Sequence, residues 1–180
     1  GSTAATQSES VIKILELYIK SGIEISAAVS TVNMMLTTKN SEVLTSSVDV
    51  CCINRHSKIA GFVKMGAVPS LIIGKENVRA IEINRPPAGV SAELEEASCK
   101  ITECDISDDI AIVMFTDGVY DAFSNGGVNK RVFFEYIATI VRRNYKDNNG
   151  AELVAKEIIN KTKSFSSNAD DMSVIVLYLC

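Results

Sequence analysis

A short apolar run at residues 110–115 is cut off by Thr116-Asp117-Gly118, and this junction constrains the fold more than any other part of the chain. The continuous run predicts a strand that is buried on both of its faces. A carboxylate directly after such a strand costs free energy unless it has a partner, and a divalent cation is one such partner. Asp-Gly is also a common turn signal, so Asp117 could instead cap the next segment.

The composition suits one soluble domain over residues 1–180, because 47% of the 180 residues are hydrophobic and can form a sizeable core. The formal net charge of -4 at pH 7 argues against nucleic acid as a partner. The five cysteines show no Cys-x-x-Cys spacing, which argues against a disulfide framework and a structural zinc site. We therefore expect a cytoplasmic domain. Its parent protein could still be anchored in a membrane.

Hydrophobic periodicity predicts two opening helices, a series of hairpin strands, two more helices and a last strand. Apolar residues at helical spacing place the helices at residues 11–20, after Ser26, at 131–143 and at 151–165. Strands are predicted at residues 46–53, 59–65, 71–73, 78–83, 95–104, 110–115 and 172–179. Strands grouped between helices indicate antiparallel pairing, so the predicted fold class is α+β.

A second acidic site opens the last predicted strand. Asp170 and Asp171 precede that strand, whereas Asp117 follows the central one. Strand ends from distant parts of a chain can meet at one edge of a sheet. Carboxylates gathered there without Cys or His ligands would suit a hard ion such as Mg²⁺ or Mn²⁺. Acidic residues at strand ends are also common as solvated turns, and the spacing alone leaves both interpretations open.

Two segments resemble motifs of a known family. Residues 116–122, TDGVYDA, resemble the (Ser/Thr)-Asp-Gly motif of PPM-type, protein phosphatase 2C-like serine/threonine phosphatases. Residues 170–173, DDMS, are similar to that family's C-terminal Asp-(Asn/Asp)-Met-(Thr/Ser) motif, and the roughly fifty intervening residues with two predicted helices also fit. Within the family, residues 64–70, residues 87–89 and the opening helix resemble the phosphatase domains of stage II sporulation protein E. The resemblance covers nearly the whole chain, from about Ala4 to Leu179.

The resemblance implies a four-layer αββα sandwich, in which two mainly antiparallel sheets stack and are flanked by helices. It implies hydrolysis of phosphoserine or phosphothreonine by a water that two Mn²⁺ or Mg²⁺ ions activate, without a covalent nucleophile. By motif matching, Asp117 and Asp170 would be metal ligands, whereas Asp171 stands where the family often has Asn. The sporulation branch acts on a phosphorylated anti-anti-sigma factor, and its two opening helices would regulate the site.

One family motif has no counterpart in this sequence. An Asp-Gly pair whose Asp bridges both metals belongs just before the opening helix, where this sequence starts with Gly1-Ser2-Thr3. We therefore expect the fold to lack its first strands and the fragment to bind metal weakly, with little or no activity. Exposed sheet edges could then pair in a homodimer. The alternatives are a catalytically silent binding or regulatory module of the same fold and an unrelated α/β domain with fortuitous turns.

Overall fold

A computed structural model of the protein describes residues 2–38, 45–90, 99–165 and 171–179. The helices are α1 (Ser2–Lys20), α2 (Ile25–Thr38), α3 (Asp117–Asn125), α4 (Lys130–Asn144) and α5 (Gly150–Lys163). The strands are β1 (Val48–Asn54), β2 (Ile59–Met65), β3 (Ser70–Gly74), β4 (Val78–Ile81), β5 (Thr102–Asp105), β6 (Asp109–Phe115) and β7 (Val174–Tyr178). Within these residues, no helix combines the length and the apolar character that a bilayer crossing requires.

The chain divides into two compact units, and each contains one antiparallel sheet. Unit 1 comprises residues 1–67 and 83–105, and its sheet has the strand order β1-β2-β5. Unit 2 comprises residues 68–82 and 106–180, and its sheet has the order β4-β3-β6-β7. All pairings within both sheets are antiparallel. Two antiparallel sheets with helices confirm the predicted α+β class, whereas a single domain over residues 1–180 stays a prediction.

In unit 1, helices α1 and α2 pack on one face of the sheet. The pairs Val48↔Met65 and Val50↔Val63 put these side chains on a common face, where they meet Val29 of α2. Helix α1 contributes less than its sequence suggests. Its predicted apolar face is only partly used, since Ile12 is 62% exposed. The predicted stop after α1 is confirmed, because Gly22 follows the helix with φ +77°, a left-handed conformation that glycine adopts without strain.

A buried polar side chain joins α2 to the loop before residue 91. Asn33 is 1% exposed, and its Oδ1 accepts a hydrogen bond of 2.9 Å from the amide of Gly89. The neighbouring Ala88 exchanges two backbone hydrogen bonds with Ser46, each 2.9 Å long. Because a buried amide without a partner is costly, the hydrogen bond from Gly89 to Asn33 stabilises the conformation of this loop.

The other face of the same sheet carries polar and thiol groups. Lys64 is fully buried and pairs with Asp49, its partner in the β1–β2 register. Desolvation lowers the pKa of the Lys64 ammonium, although the Asp49 carboxylate opposes that change. On the same face, burial raises the pKa of the Cys51 thiol to about 12, and the neighbouring Cys52 and Asp49 add to the effect.

In unit 2, the central strand is β6, as the apolar run predicts. It lies between β3 and β7, and Ile110, Ala111, Ile112 and Val113 are each at most 4% exposed. Helices α4 and α5 cover one face through a core of apolar side chains that includes Phe133, Ile137, Val141, Val154 and Ile158. The predicted stripe of α4 is confirmed except at Val132, which is 60% exposed.

The sequence does not predict helix α3. Asp117-Gly118 is typical of a turn, and a helix of nine residues offers few periodic positions. Packing decides the outcome, because Phe123 of α3 lies 4.2 Å from Phe133 of α4 between ring centroids. Among the described residues, three helices therefore separate β6 from β7, where the sequence indicates two.

The strand predicted at residues 95–104 corresponds to β5, which begins only at Thr102. Residues 91–98 lie outside the described part of the chain, so the start of the predicted strand cannot be compared.

Replacement of Asn33 by Ala should lower the free energy of unfolding by about 1–3 kcal/mol, because the buried Gly89 amide then loses its acceptor. Urea denaturation measures this change. Met34→Ala is the matched control, since Met34 is 58% exposed on the same helix and should change stability by less than about 0.5 kcal/mol. Equal effects of the two substitutions would contradict the role of Asn33.

Alkaline pH should destabilise the protein partly through Cys51. The thiol of the unfolded chain ionises near its ordinary pKa of 9.0, whereas the folded protein keeps the proton until about pH 12. The stability is therefore present below the unfolded pKa and is lost as pH rises between these two values. Cys51→Ala should flatten the fall in unfolding free energy between about pH 8 and about pH 11. Parallel curves for Cys51→Ala and the unsubstituted protein would show that this thiol is not responsible.

Candidate metal centre

The two predicted acidic sites converge on one edge of the unit 2 sheet. Strands β6 and β7 are antiparallel, and Phe115, the last residue of β6, pairs with Val174, the first residue of β7. The segment after β6 and the segment before β7 therefore run side by side. Asp117 belongs to the first segment and Asp171 to the second.

Thr116 joins these segments through its side chain as well as its backbone. Its amide donates to the carbonyl of Ser173 at 3.1 Å. Its Oγ1 accepts from the amide of Ser173 at 3.0 Å and donates to the carbonyl of Asp171 at 3.1 Å. We call the two hydrogen bonds of this hydroxyl the Thr116 bridge. It holds residues 171–173 against Thr116, directly beside Asp117 in the sequence.

The start of α3 is organised around the same threonine. Thr116 has the extended conformation of an N-cap residue (φ -79°, ψ 164°), but its side chain makes no capping hydrogen bond. The first amides of the helix use other acceptors, because Gly118 donates to Asp117 Oδ1 at 2.9 Å and Val119 donates to the Thr116 carbonyl at 3.1 Å. Asp117 is therefore the first residue of the helix, and Thr116 occupies the capping position that the sequence offered as a role for Asp117.

The chemistry of this edge fits a hard divalent cation. Asp117 is exposed at the N-terminus of α3, where the helix dipole favours a carboxylate. Asp171 is also exposed, and both residues supply oxygen ligands, which Mg²⁺ and Mn²⁺ prefer. Asp170, the other predicted ligand, lies outside the described residues and directly precedes Asp171 in the sequence. Across the described ranges, no group of three or more His, Cys, Asp or Glu residues is arranged to hold a metal ion.

Aromatic packing supports the other end of α3. The ring of Phe165, beyond the end of α5, lies 5.0 Å from the ring of Phe123 between centroids. A Cβ atom at Gly126 would come within 2.6 Å of the Phe165 ring, so glycine permits this close approach. Phe165 and Asp171 are the described residues on either side of residues 166–170, and both contact the region of α3.

The role of Thr116 is the feature that the sequence interpretation missed. The motif singles out the carboxylate, and a threonine before a helix is usually taken as an N-cap. A hydroxyl residue between a buried strand and an Asp-Gly pair could have indicated this bridging role, because a hydroxyl group can donate and accept hydrogen bonds at the same time. Its partners at Asp171 and Ser173 are 55 and 57 residues away, and no local pattern reveals them.

Two curated relatives share part of their sequence with this chain. Stage II sporulation protein E of Bacillus subtilis (strain 168) is 25% identical over 121 residues, which are 67% of this chain and 14% of that protein. Stage II sporulation protein E of Priestia megaterium is 24% identical over 121 residues, which are 67% of this chain and 20% of that protein. The matches thus span a fifth or less of the length of these relatives.

Solved structures share the fold at low sequence identity. The PP2C phosphatase domain of SpoIIE from Bacillus subtilis, with a fragment of its regulatory domain, has a TM-score of 0.77 and 22% identity over 98% of this chain and 50% of that chain. An Mn-presoaked structure of the SpoIIE phosphatase domain from Bacillus subtilis has a TM-score of 0.58 and 22% identity over 93% of this chain and 71% of that chain. The RsbU and RsbW domains of Rv1364c from Mycobacterium tuberculosis have a TM-score of 0.74 and 15% identity, covering 98% of this chain and 47% of that chain.

The family follows from a match along almost the whole sequence. The model of the stage II sporulation protein E (SpoIIE) family matches residues 1–179. PP2C-like phosphatases generally use Mn or Mg, and Asp117 and Asp171 at the β6–β7 edge carry carboxylate oxygens, which such ions prefer. The sequence resemblance to this family is thereby confirmed, and the chain belongs to the stage II sporulation protein E (SpoIIE) family.

Proposed function

We propose that this chain carries part of the metal site of a protein serine/threonine phosphatase that hydrolyses phosphoserine on an anti-anti-sigma factor-like protein. The observation that carries the proposal is the Thr116 bridge, which holds the acidic segment before β7 next to Asp117. In this proposal Asp117 and Asp170 are ligands to Mn²⁺ or Mg²⁺.

In this proposal, the residues of this chain position carboxylate groups at the end of β6. The buried strand β6 fixes the position of Thr116, and Asp117 follows it as the first residue of α3. When bound, a pair of divalent ions would activate water and neutralise the charge of the phosphoryl group. The carboxylates of Asp117 and Asp170 would supply oxygen ligands of the kind that such ions need.

The exposure of this edge favours a protein substrate. Asp117, Asp121 and Asp171 are all exposed, so their carboxylates lie at the surface of unit 2. A phosphoserine on the surface of a folded protein can reach such a position, whereas small-molecule sites are typically concave and enclose their ligand. Two further parts of the proposal rest on the family resemblance alone. They are the anti-anti-sigma factor-like partner and the cytoplasmic location.

A homodimer is the proposed assembly of the fragment, and the edge strand β7 supports it. Ile175 and Leu177 are 62% and 45% exposed, and they lie on the opposite face of β7 from Val176, which packs against the unit 2 core. An edge strand with an exposed apolar face can pair with a second chain.

A catalytically silent binding module is the second candidate function. Within the described residues, no group of three or more His, Cys, Asp or Glu side chains is arranged to hold a metal ion. The two functions differ in whether the site turns over its partner or only binds it.

Replacement of Asp117 or Asp170 by Asn in the full-length protein should lower Mn²⁺-dependent phosphate release from a phosphoserine protein by more than about 100-fold, because loss of a ligand exceeds the usual effect of an outer-shell change. Malachite green detection of phosphate measures the rate. Asp121→Asn is the matched control, since Asp121 is exposed on the same helix and is not a predicted ligand. Unchanged turnover in Asp117→Asn would refute the assignment, and binding without turnover in the unsubstituted protein would favour the silent module.

The metal-free Asp117→Asn protein should unfold within about 1 kcal/mol of the unsubstituted protein, because only the interaction with the helix dipole is weakened. Asparagine keeps an Oδ1 that can accept from the Gly118 amide. Thermal denaturation in EDTA measures this stability. A larger loss of stability would mean that the lower activity of Asp117→Asn results from unfolding. The phosphate-release assay would then use Asp170→Asn instead.

A further inference from the structure

We infer that the Thr116 hydroxyl is a positioning group, which sets the acidic segment before β7 relative to Asp117 and thereby controls metal affinity. The inference rests on the proposed function, because it concerns the same metal site. It assigns a role to Thr116, which is not one of the proposed metal ligands.

The strand pairing alone does not extend to the acidic residues. The β6–β7 register ends at Phe115↔Val174. Beyond this pair, the Thr116 N–Ser173 O hydrogen bond and the Thr116 bridge connect the two segments. Two of these three hydrogen bonds depend on one hydroxyl, which donates to the carbonyl of Asp171.

The capping position does not account for this side-chain orientation. A threonine with N-cap dihedral angles usually accepts from an amide in the first turn of its helix. Here the hydroxyl faces residues 171–173, and Asp117 Oδ1 with the Thr116 carbonyl serve the first amides. The helix start is thus satisfied without the Thr116 hydroxyl, which leaves it for the bridge.

The chemistry of the bridge restricts which residues can replace threonine. The hydroxyl accepts from the Ser173 amide and donates to the Asp171 carbonyl at the same time, which serine can also do. Valine has the same shape and can do neither. Because threonine has few side-chain rotamers, its hydroxyl is held in place with little loss of freedom.

The bridge should matter for metal binding because ligand geometry is strict. Mg²⁺ requires oxygen atoms at about 2.0–2.1 Å in near-octahedral geometry, so a small shift of one segment removes a ligand. Changes in groups that orient ligands typically cost about 10–100-fold in metal affinity. The fold should survive, because the Thr116 N–Ser173 O bond and the β6–β7 pairing do not use the hydroxyl.

The test compares Thr116→Val and Thr116→Ser in the full-length protein, with Asp117→Asn as the reference. Isothermal titration calorimetry with MnCl₂ and no substrate should show a Kd raised about 10–100-fold by valine, and serine should restore it to within about threefold. Hydrogen exchange of the metal-free protein gives a second measurement. The Ser173 amide should exchange faster in Thr116→Val, whereas the Leu177 amide, which faces Ile112 of β6, should not.

The outcomes separate this inference from the proposed function. If Asp117→Asn weakens Mn²⁺ binding and Thr116→Val does not, the positioning role is wrong and the phosphatase proposal stands. If neither substitution affects Mn²⁺ binding, the proposed metal site itself is wrong. If valine prevents folding, Thr116→Cys replaces it, because a thiol is a weak hydrogen-bonding group of similar size. Equal Mn²⁺ affinities of the serine and cysteine variants would then overturn the positioning role.

Discussion

The antiparallel pairing of β6 with β7 is the interaction on which the candidate site depends. It brings the end of one strand next to the start of another that is separated from it by three helices. The apolar content of β6 fixes its place at the centre of the sheet, so the polar residues that follow must emerge at its edge. Burial of the apolar side chains therefore sets the position of β6 in unit 2. The polar residues of the candidate site lie directly after the buried run ends.

The polar contacts of both units share one physical role. Asn33 accepts from the Gly89 amide in unit 1, and Thr116 bridges residues 171–173 in unit 2. In each case a short side chain takes the place of a backbone partner where regular pairing has ended. Such contacts add modest net free energy, but they select one loop conformation over many, because the alternatives leave amides or carbonyls without partners.

Much of the fold could be predicted from the sequence, because residues on the buried face of a helix or strand are apolar and recur at regular spacing. The strand at β6, the β1–β2 hairpin and helix α4 follow from runs or stripes of apolar residues. Helix α3 could not be predicted in this way, since it is stabilised by the contact of Phe123 with Phe133, which belongs to another helix. For the site, the position of Asp117 at the strand end could be predicted, while the partners of Thr116 depend on tertiary pairing that no local pattern encodes. Asp170 as a ligand stays a prediction.

The separation of β6 from β7 also has a consequence for the order of assembly. Residues 116–173 lie between the two strands, so β6 and β7 can pair only after a long loop has closed. Contacts within and between helices α3 to α5 span shorter stretches of sequence, and we expect them to form before β7 joins the sheet. During synthesis, the edge that carries Asp117 thus stays incomplete until almost the whole of this sequence has left the ribosome. A nascent chain therefore cannot bring its two acidic segments together before β7 itself has been synthesised.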